Sequence, residues 1–188
     1  MKKWIARCFL RINGWETEGE KPEAARFVLI AVPHTSNWDF LYLIAFGAVF
    51  DLNIRWLGKH SLFKPPFGWV MRNLGGIPIV RHSNRNVVQD MAAAFDDHDE
   101  LALAVPTEGT RARAEYWKSG FYHIAMGADV PIVPSYLDYG KKRAGFGPPL
   151  VPSGDLRADM EYFRGFYAKS IGKFPEKFGP IRLREEDE

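Results

Sequence analysis

Phe27-Val28-Leu29-Ile30-Ala31-Val32-Pro33-His34-Thr35-Ser36-Asn37-Trp38-Asp39 is the stretch that decides the fold. Residues 27–32 form a short continuous apolar run, the pattern of a buried strand. Thr35 or Ser36 can cap a helix running to about Phe50, so the stretch reads as strand, loop and helix. The loop also carries chemistry. His34 is followed five residues later by Asp39, whose carboxylate can hold one imidazole nitrogen while the other takes a proton from a hydroxyl. A structural reading stands beside this one. Ser36 and Asp39 are spaced as a capping box, in which Asp39 only ties down the helix start and His34 is an ordinary loop residue. Five residues is not a same-face helical spacing, but a histidine before the helix and an aspartate in its first turn can still converge.

The same alternation continues along the chain. Ile54 to Leu57 reads as a strand, Pro65, Pro66 and Gly68 interrupt the chain before a short helix to about Asn73, and Ile77 to Val80 is a strand. Ser83 is placed to cap a helix from about Asn86 to His98, and Leu101 to Val105 is another buried strand. A loop from Pro106 to Arg113, a helix from Trp117 to Met126 ending at Gly127, and a strand from Val130 to Tyr136 follow. Gly140 to Gly154 is rich in glycine and proline and reads as irregular or edge structure; Asp155 to Ser170 has helical periodicity, and Arg184 to Glu188 reads as a solvated acidic tail. Strands separated by helices imply an α/β fold: one layered domain over residues 1–188, with a largely parallel or mixed sheet flanked by helices.

Composition narrows the function. A net charge of +2 with no arginine-rich run or zinc-finger spacing argues against a nucleic-acid partner. Cys8 is the only cysteine, which excludes an internal disulfide and a thiolate metal cluster and fits a reducing cytoplasm. His60, His82, His98 and His123 have no metal-ligand spacing, so no metal is expected. Walker A, GxGxxG and GxSxG signals are absent, which removes nucleotide-dependent and serine-hydrolase mechanisms.

The longest apolar run, Phe40 to Phe50, is shorter than the roughly 18 to 20 residues that cross a bilayer. Arg7 and Arg11 interrupt any secretory hydrophobic region after Met1-Lys2-Lys3. In residues 1–14, Trp4, Ile5, Cys8, Phe9 and Ile12 share one face of a helical wheel, with Lys3, Arg7 and Arg11 opposite. That pattern suits a helix lying in a membrane interface, and equally a terminal helix docked on its own core. The expected location is cytoplasmic, peripheral at the inner face of a membrane.

A second candidate site follows the strand at Leu101. In Glu108-Gly109-Thr110-Arg111, glycine permits close backbone approach and arginine offers a planar fork for phosphate oxygens. Arg81 and Lys59 stand just past two other predicted strand ends. Each cation alone can simply solvate a loop; the set of three suggests a phosphate pocket.

These motifs in order, His-x4-Asp, a glycine-led strand ending at Arg81, Glu-Gly-Thr-Arg and Val130-Pro131-Ile132-Val133-Pro134, resemble the glycerolphosphate and lysophosphatidic acid acyltransferase family. The resemblance runs from about Phe27 to Tyr136, and Lys59 with Leu62, Pro66 and Gly68, and Lys118-Ser119-Gly120, extend it. It implies transfer of a fatty acyl group from acyl-CoA or acyl carrier protein to the free hydroxyl of lysophosphatidic acid or a similar glycerolipid. No bound cofactor and no covalent acyl-enzyme are needed. It further implies His34 as general base, Asp39 as its orienter, and Lys59, Arg81 and Arg111 on the acceptor phosphate. Glu108, Gly109 and Thr110 would complete the acceptor site, with Pro134 on its wall. The implied partners are a phospholipid membrane surface, a lysolipid acceptor and the thioester carrier. Another amphiphilic acceptor, thioesterase action and a non-catalytic lipid-binding module remain as alternatives. The chain departs from the family pattern at Pro33, where asparagine is usual, and at Thr107, which separates Pro106 from Glu108. It also leaves little room before the first strand for a two-helix membrane anchor.

Overall fold

The computed structural model describes residues 2–79 and 84–187. In chain order its elements are α1 (Lys2–Ile12), β1 (Glu16–Glu18), β2 (Arg26–Val32), α2 (Trp38–Phe50), β3 (Ile54–Lys59), α3 (Gly68–Asn73), β4 (Gly76–Ile79), α4 (Asn84–Ala93), β5 (Leu101–Val105), α5 (Gly120–Ala128), β6 (Ile132–Asp138), β7 (Arg143–Phe146) and α6 (Leu156–Tyr167). The strands form one seven-stranded sheet in the order β1-β7-β6-β2-β5-β3-β4. β2 lies at its centre, parallel to β5 through Phe27–Ala102 and to β6 through Val28–Ile132. Among the described strands only β6 and β7 pair antiparallel, so the fold is α/β with a mixed, mostly parallel sheet.

Burial on both faces is why β2 shows no alternation in sequence. Val28, Ile30 and Val32 pack with Phe121, Ile124, Met160 and Phe163 of the helices on one side. Phe27 and Leu29 pack on the other side with Phe40 and Ile44 of α2 and with Trp56. α2 is apolar around most of its circumference for a related reason. One flank faces the sheet, and Tyr42, Ala45, Phe46 and Val49 meet Ala6 and Leu10 of α1.

Several boundaries differ from the sequence reading. α2 starts at Trp38, with Asn37 at the N-cap making no side-chain cap bond. α4 ends at Ala93 rather than His98, where Asp96, Asp97 and Asp99 would place negative charge at the unfavourable end of the helix dipole. α5 begins at Gly120 rather than Trp117, because Trp117 is bridged to Leu183 and Lys118 N–H is committed to Thr107 O at 2.7 Å. The glycine-rich segment contains β7, enclosed between β1 and β6. The acidic end is tied down in part: after the buried Leu183, Arg184–Glu186 make a 3-10 turn and Glu186 pairs with Arg164 at 2.8 Å, while Arg184, Glu185 and Asp187 stay exposed. Val80, Arg81, His82 and Ser83, all used in the sequence reading, lie outside the described residues.

The predicted apolar face of α1 is divided: Phe9 packs toward α2, while Trp4, Ile5 and Ile12 are 70%, 55% and 85% exposed. The buried side of the helix is Ala6 and Leu10, which that face did not include. Among the described residues no helix is long and apolar enough to cross a membrane.

Candidate active site

Strands β2 to β6 all run the same way, so their C-terminal ends share one edge of the sheet. Open α/β sheets present ligand sites at that edge, on the loops that leave the strands. His34 leaves β2 there, Glu108 leaves β5 next to it, and Lys59 ends β3.

The His34 loop is held from several directions. His34 Nδ1 lies 3.3 Å from Asp39 Oδ2, with the imidazole 21% exposed and the carboxylate 4%. The same Oδ2 accepts Thr35 N–H and Ser36 N–H, each at 2.8 Å. Oδ1 accepts the Tyr139 hydroxyl at 2.6 Å. The capping and orienting readings of Asp39 are therefore compatible: one carboxylate gathers the backbone of the loop and faces the imidazole. With a proton on Nδ1 toward Asp39, Nε2 is left as the proton acceptor.

Glu108 supports the loop from beneath. Its Oε2 accepts His34 N–H at 2.6 Å, and the residue is 2% exposed. Burial pushes the Glu108 carboxyl from 4.5 up to about 7, opposed by the His34 N–H bond and by a charged His34, and reinforced by Asp39. Glu108 Oε1, Thr107 Oγ1 and Trp117 Nε1 are buried without a hydrogen-bond partner among the described residues.

The remaining sequence candidates surround this centre at the surface. Gly109 adopts φ +65°, left-handed backbone in which glycine carries no Cβ penalty, and the aliphatic stem of Lys118 crosses over it. Thr110 and Arg111 are exposed, and Thr110 Oγ1 accepts Ala112 N–H at 3.2 Å. Lys59 is exposed two strands from β2, about 10 Å across the sheet. Arg81 lies outside the described residues. Pro134 pairs with Ile30 inside the sheet, away from the strand ends.

Sequence reasoning missed Tyr139, and missed residues 171–174, which pack on the His34 loop through Phe174 N–H to Thr35 Oγ1 at 3.2 Å. Tyr139 follows β6 directly and so reaches the same sheet edge, but no local pattern ties it to an aspartate 100 residues earlier. Together the groups make a partly exposed imidazole whose partner carboxylate is fully engaged, on the same sheet edge as a glycine turn. Among the described residues no group of three or more His, Cys, Asp or Glu is set to hold a metal ion.

Residues 16–138 match the model of the family described as Acyltransferase. The chain is 25% identical over 142 residues to a 1-acyl-sn-glycerol-3-phosphate acyltransferase of Haemophilus influenzae, an alignment covering 70% of this chain and 57% of that protein. It is 32% identical over 142 residues to a probable 1-acyl-sn-glycerol-3-phosphate acyltransferase of Mycoplasma pneumoniae, covering 69% and 52%. The chain thus spans about half the length of these curated relatives. The crystal structure of the 1-acyl-sn-glycerophosphate (LPA) acyltransferase PlsC from Thermotoga maritima superimposes with a TM-score of 0.61 at 20% identity, over 92% of this chain and 80% of that one. That likeness establishes the common fold.

Proposed function

Because this chain belongs to the acyltransferase family, we propose that it transfers a fatty acyl group from a thioester donor to the free hydroxyl of lysophosphatidic acid or a closely similar glycerolipid. The observation that carries the proposal is the His34 Nδ1–Asp39 Oδ2 contact of 3.3 Å, with the imidazole partly exposed where β2 ends. His34 Nε2 removes the acceptor proton as its oxygen attacks the thioester carbonyl. Collapse of the tetrahedral intermediate expels the thiolate, which takes the proton back from the imidazolium, and the ester is complete. Asp39 opposes the imidazolium charge throughout. No metal or bound cofactor enters the reaction; acyl-CoA or acyl carrier protein is consumed as co-substrate.

Lys59, Arg81 and Arg111 would receive the acceptor phosphate, with Gly109 and Thr110 lining the approach. Glu108 would act on the acceptor site by holding the loop that carries the base. The names of the two bacterial relatives favour a lysophosphatidate acceptor. Residues 1–188 act as one acyltransferase domain in this reading. Exposed Trp4, Ile5 and Ile12, with exposed Lys3, Arg7 and Arg11 on the same helix, support peripheral attachment to the inner face of a membrane.

The test is thioester consumption by the purified protein with acyl-CoA and acyl carrier protein donors and a panel of acceptors, products being identified by mass spectrometry. Phosphatidic acid should form, and His34→Ala and Asp39→Asn should each lower the rate at least about 100-fold without unfolding the chain. Near wild-type turnover in either variant removes the proposed mechanism. Thioester cleavage without added lipid identifies a thioesterase instead.

A further inference from the structure

Asp39 has two oxygens, and only one of them faces His34. Oδ2 is occupied by the imidazole and two loop amides, whereas Oδ1 is taken by the Tyr139 hydroxyl at 2.6 Å. We propose that Tyr139 is a positioning residue for the His34–Asp39 pair: its phenol stops the carboxylate from turning and draws charge away from the oxygen that faces the imidazole. The proposal rests on the acid–base reading given above.

The phenol is itself firmly placed. Its ring meets Trp15 edge-on at 4.9 Å and Tyr42 at 5.9 Å between centroids. Its backbone N–H donates to Ile171 O at 2.9 Å, which starts a strap of residues 171–174 over the His34 loop. At Gly172 the strap is so close that a Cβ would stand 3.0 Å from Thr35 Oγ1 and 3.1 Å from Pro33 Cβ. Lys173 Nζ lies 5.1 Å from the centre of the Trp38 ring and 5.9 Å from that of Tyr139. Trp15, Tyr139 and the strap all fall outside residues 16–138, so this second support is not part of the span that matches the family.

Burial, the bond to Asp39 and the Asp39 charge all push the Tyr139 phenol well above its ordinary range, so it is a donor at neutral pH. A donor on Oδ1 weakens the field that Asp39 exerts on the imidazolium. Other charged and polar groups stand around the pair. Glu108 accepts His34 N–H from the β5 loop, the Thr35 and Ser36 amides donate to Asp39, and Lys173 of the strap lies over the Trp38 and Tyr139 rings. The Tyr139 hydroxyl bonds Asp39 and none of these groups, so its removal acts on the pair through the carboxylate.

Tyr139→Phe in the full chain keeps the ring contacts and deletes only the hydroxyl. The acidic limb of the pH profile of kcat/KM should move up by about half a unit, with kcat down about three- to tenfold and KM within about twofold. The NMR titration of the His34 imidazole, recorded without any substrate, should move in the same direction. In an Asp39→Asn background, adding Tyr139→Phe should produce no further movement, because the coupling runs through the carboxylate. A His34 titration that stays in place in Tyr139→Phe, or that moves equally in the Asp39→Asn background, overturns the proposal and leaves Tyr139 as packing. A titration that moves as expected, in a protein that turns over no thioester, upholds the positioning role and overturns the proposed reaction instead.

Discussion

At Glu108, folding changes an ordinary carboxyl most. The unfolded chain releases this proton near 4.5, but the buried group holds it up to about 7. Between those values the folded state binds more protons than the unfolded state, so stability falls as pH rises through the interval and stays lowered above it. Glu108→Gln keeps an acceptor for His34 N–H and removes the titration. Urea unfolding should therefore find the two proteins similar at pH 4.5, with the variant more stable at pH 8 by on the order of 3 kcal/mol. An equal difference at both pH values would show that burial does not perturb this carboxyl. At this scale the sequence was informative about His34, Asp39 and Glu108, because each follows a strand or opens a helix and local pattern reports that. It was silent on Tyr139, since a hydrogen bond across 100 residues leaves no periodic trace.

Among the elements, α1 shows what a hydrophobic pattern can and cannot say. Its amphipathic character was legible, but the wheel joined Phe9 to Trp4, Ile5 and Ile12, and only the packed helix reveals Ala6 and Leu10 as the docked side. Docking and display prove compatible, because a helix on the outside of a helical layer has one side for each. Trp4→Ser with Ile5→Ser removes exposed apolar surface and should leave the unfolding midpoint almost unchanged. Burial of either side chain contributes about 1.5–3 kcal/mol, so the partition constant for anionic phospholipid vesicles, read by co-sedimentation, should fall at least about 100-fold. Unchanged sedimentation would assign membrane attachment to other surfaces. α4 and α5 teach a complementary lesson. Their limits shifted because an acidic run met a helix dipole in one case and a distant chain segment captured Trp117 in the other.

For the molecule as a whole, the C-terminal return is the feature that composition conceals. Leu183 is 0% exposed and bridged to Trp117, while Arg113 Nη1 donates to Phe178 O at 2.6 Å. Trp117 adjoins Lys118, whose N–H bonds Thr107 O, so the end of the chain braces the loop bearing Glu108. Leu183→Ala should cost about 2–5 kcal/mol in urea unfolding, because a filled core site becomes a cavity. A loss below about 0.5 kcal/mol would mark the return as dispensable. The acidic residues after Leu183 invited the opposite reading, and nothing local corrects it: whether charges are solvated or paired depends on whether Arg164 and Ser119 wait for them. By itself the sequence determined the α/β class, the buried strands of a largely parallel or mixed sheet and the loop histidine with its aspartate, since these rest on hydrophobic runs and short-range stereochemistry. Tertiary structure alone decided which oxygen of Asp39 faces His34, what buries Glu108, which side of α1 stays outside and where the acidic end goes. Each of those outcomes depends on surfaces that become neighbours only when the sheet and its two layers close.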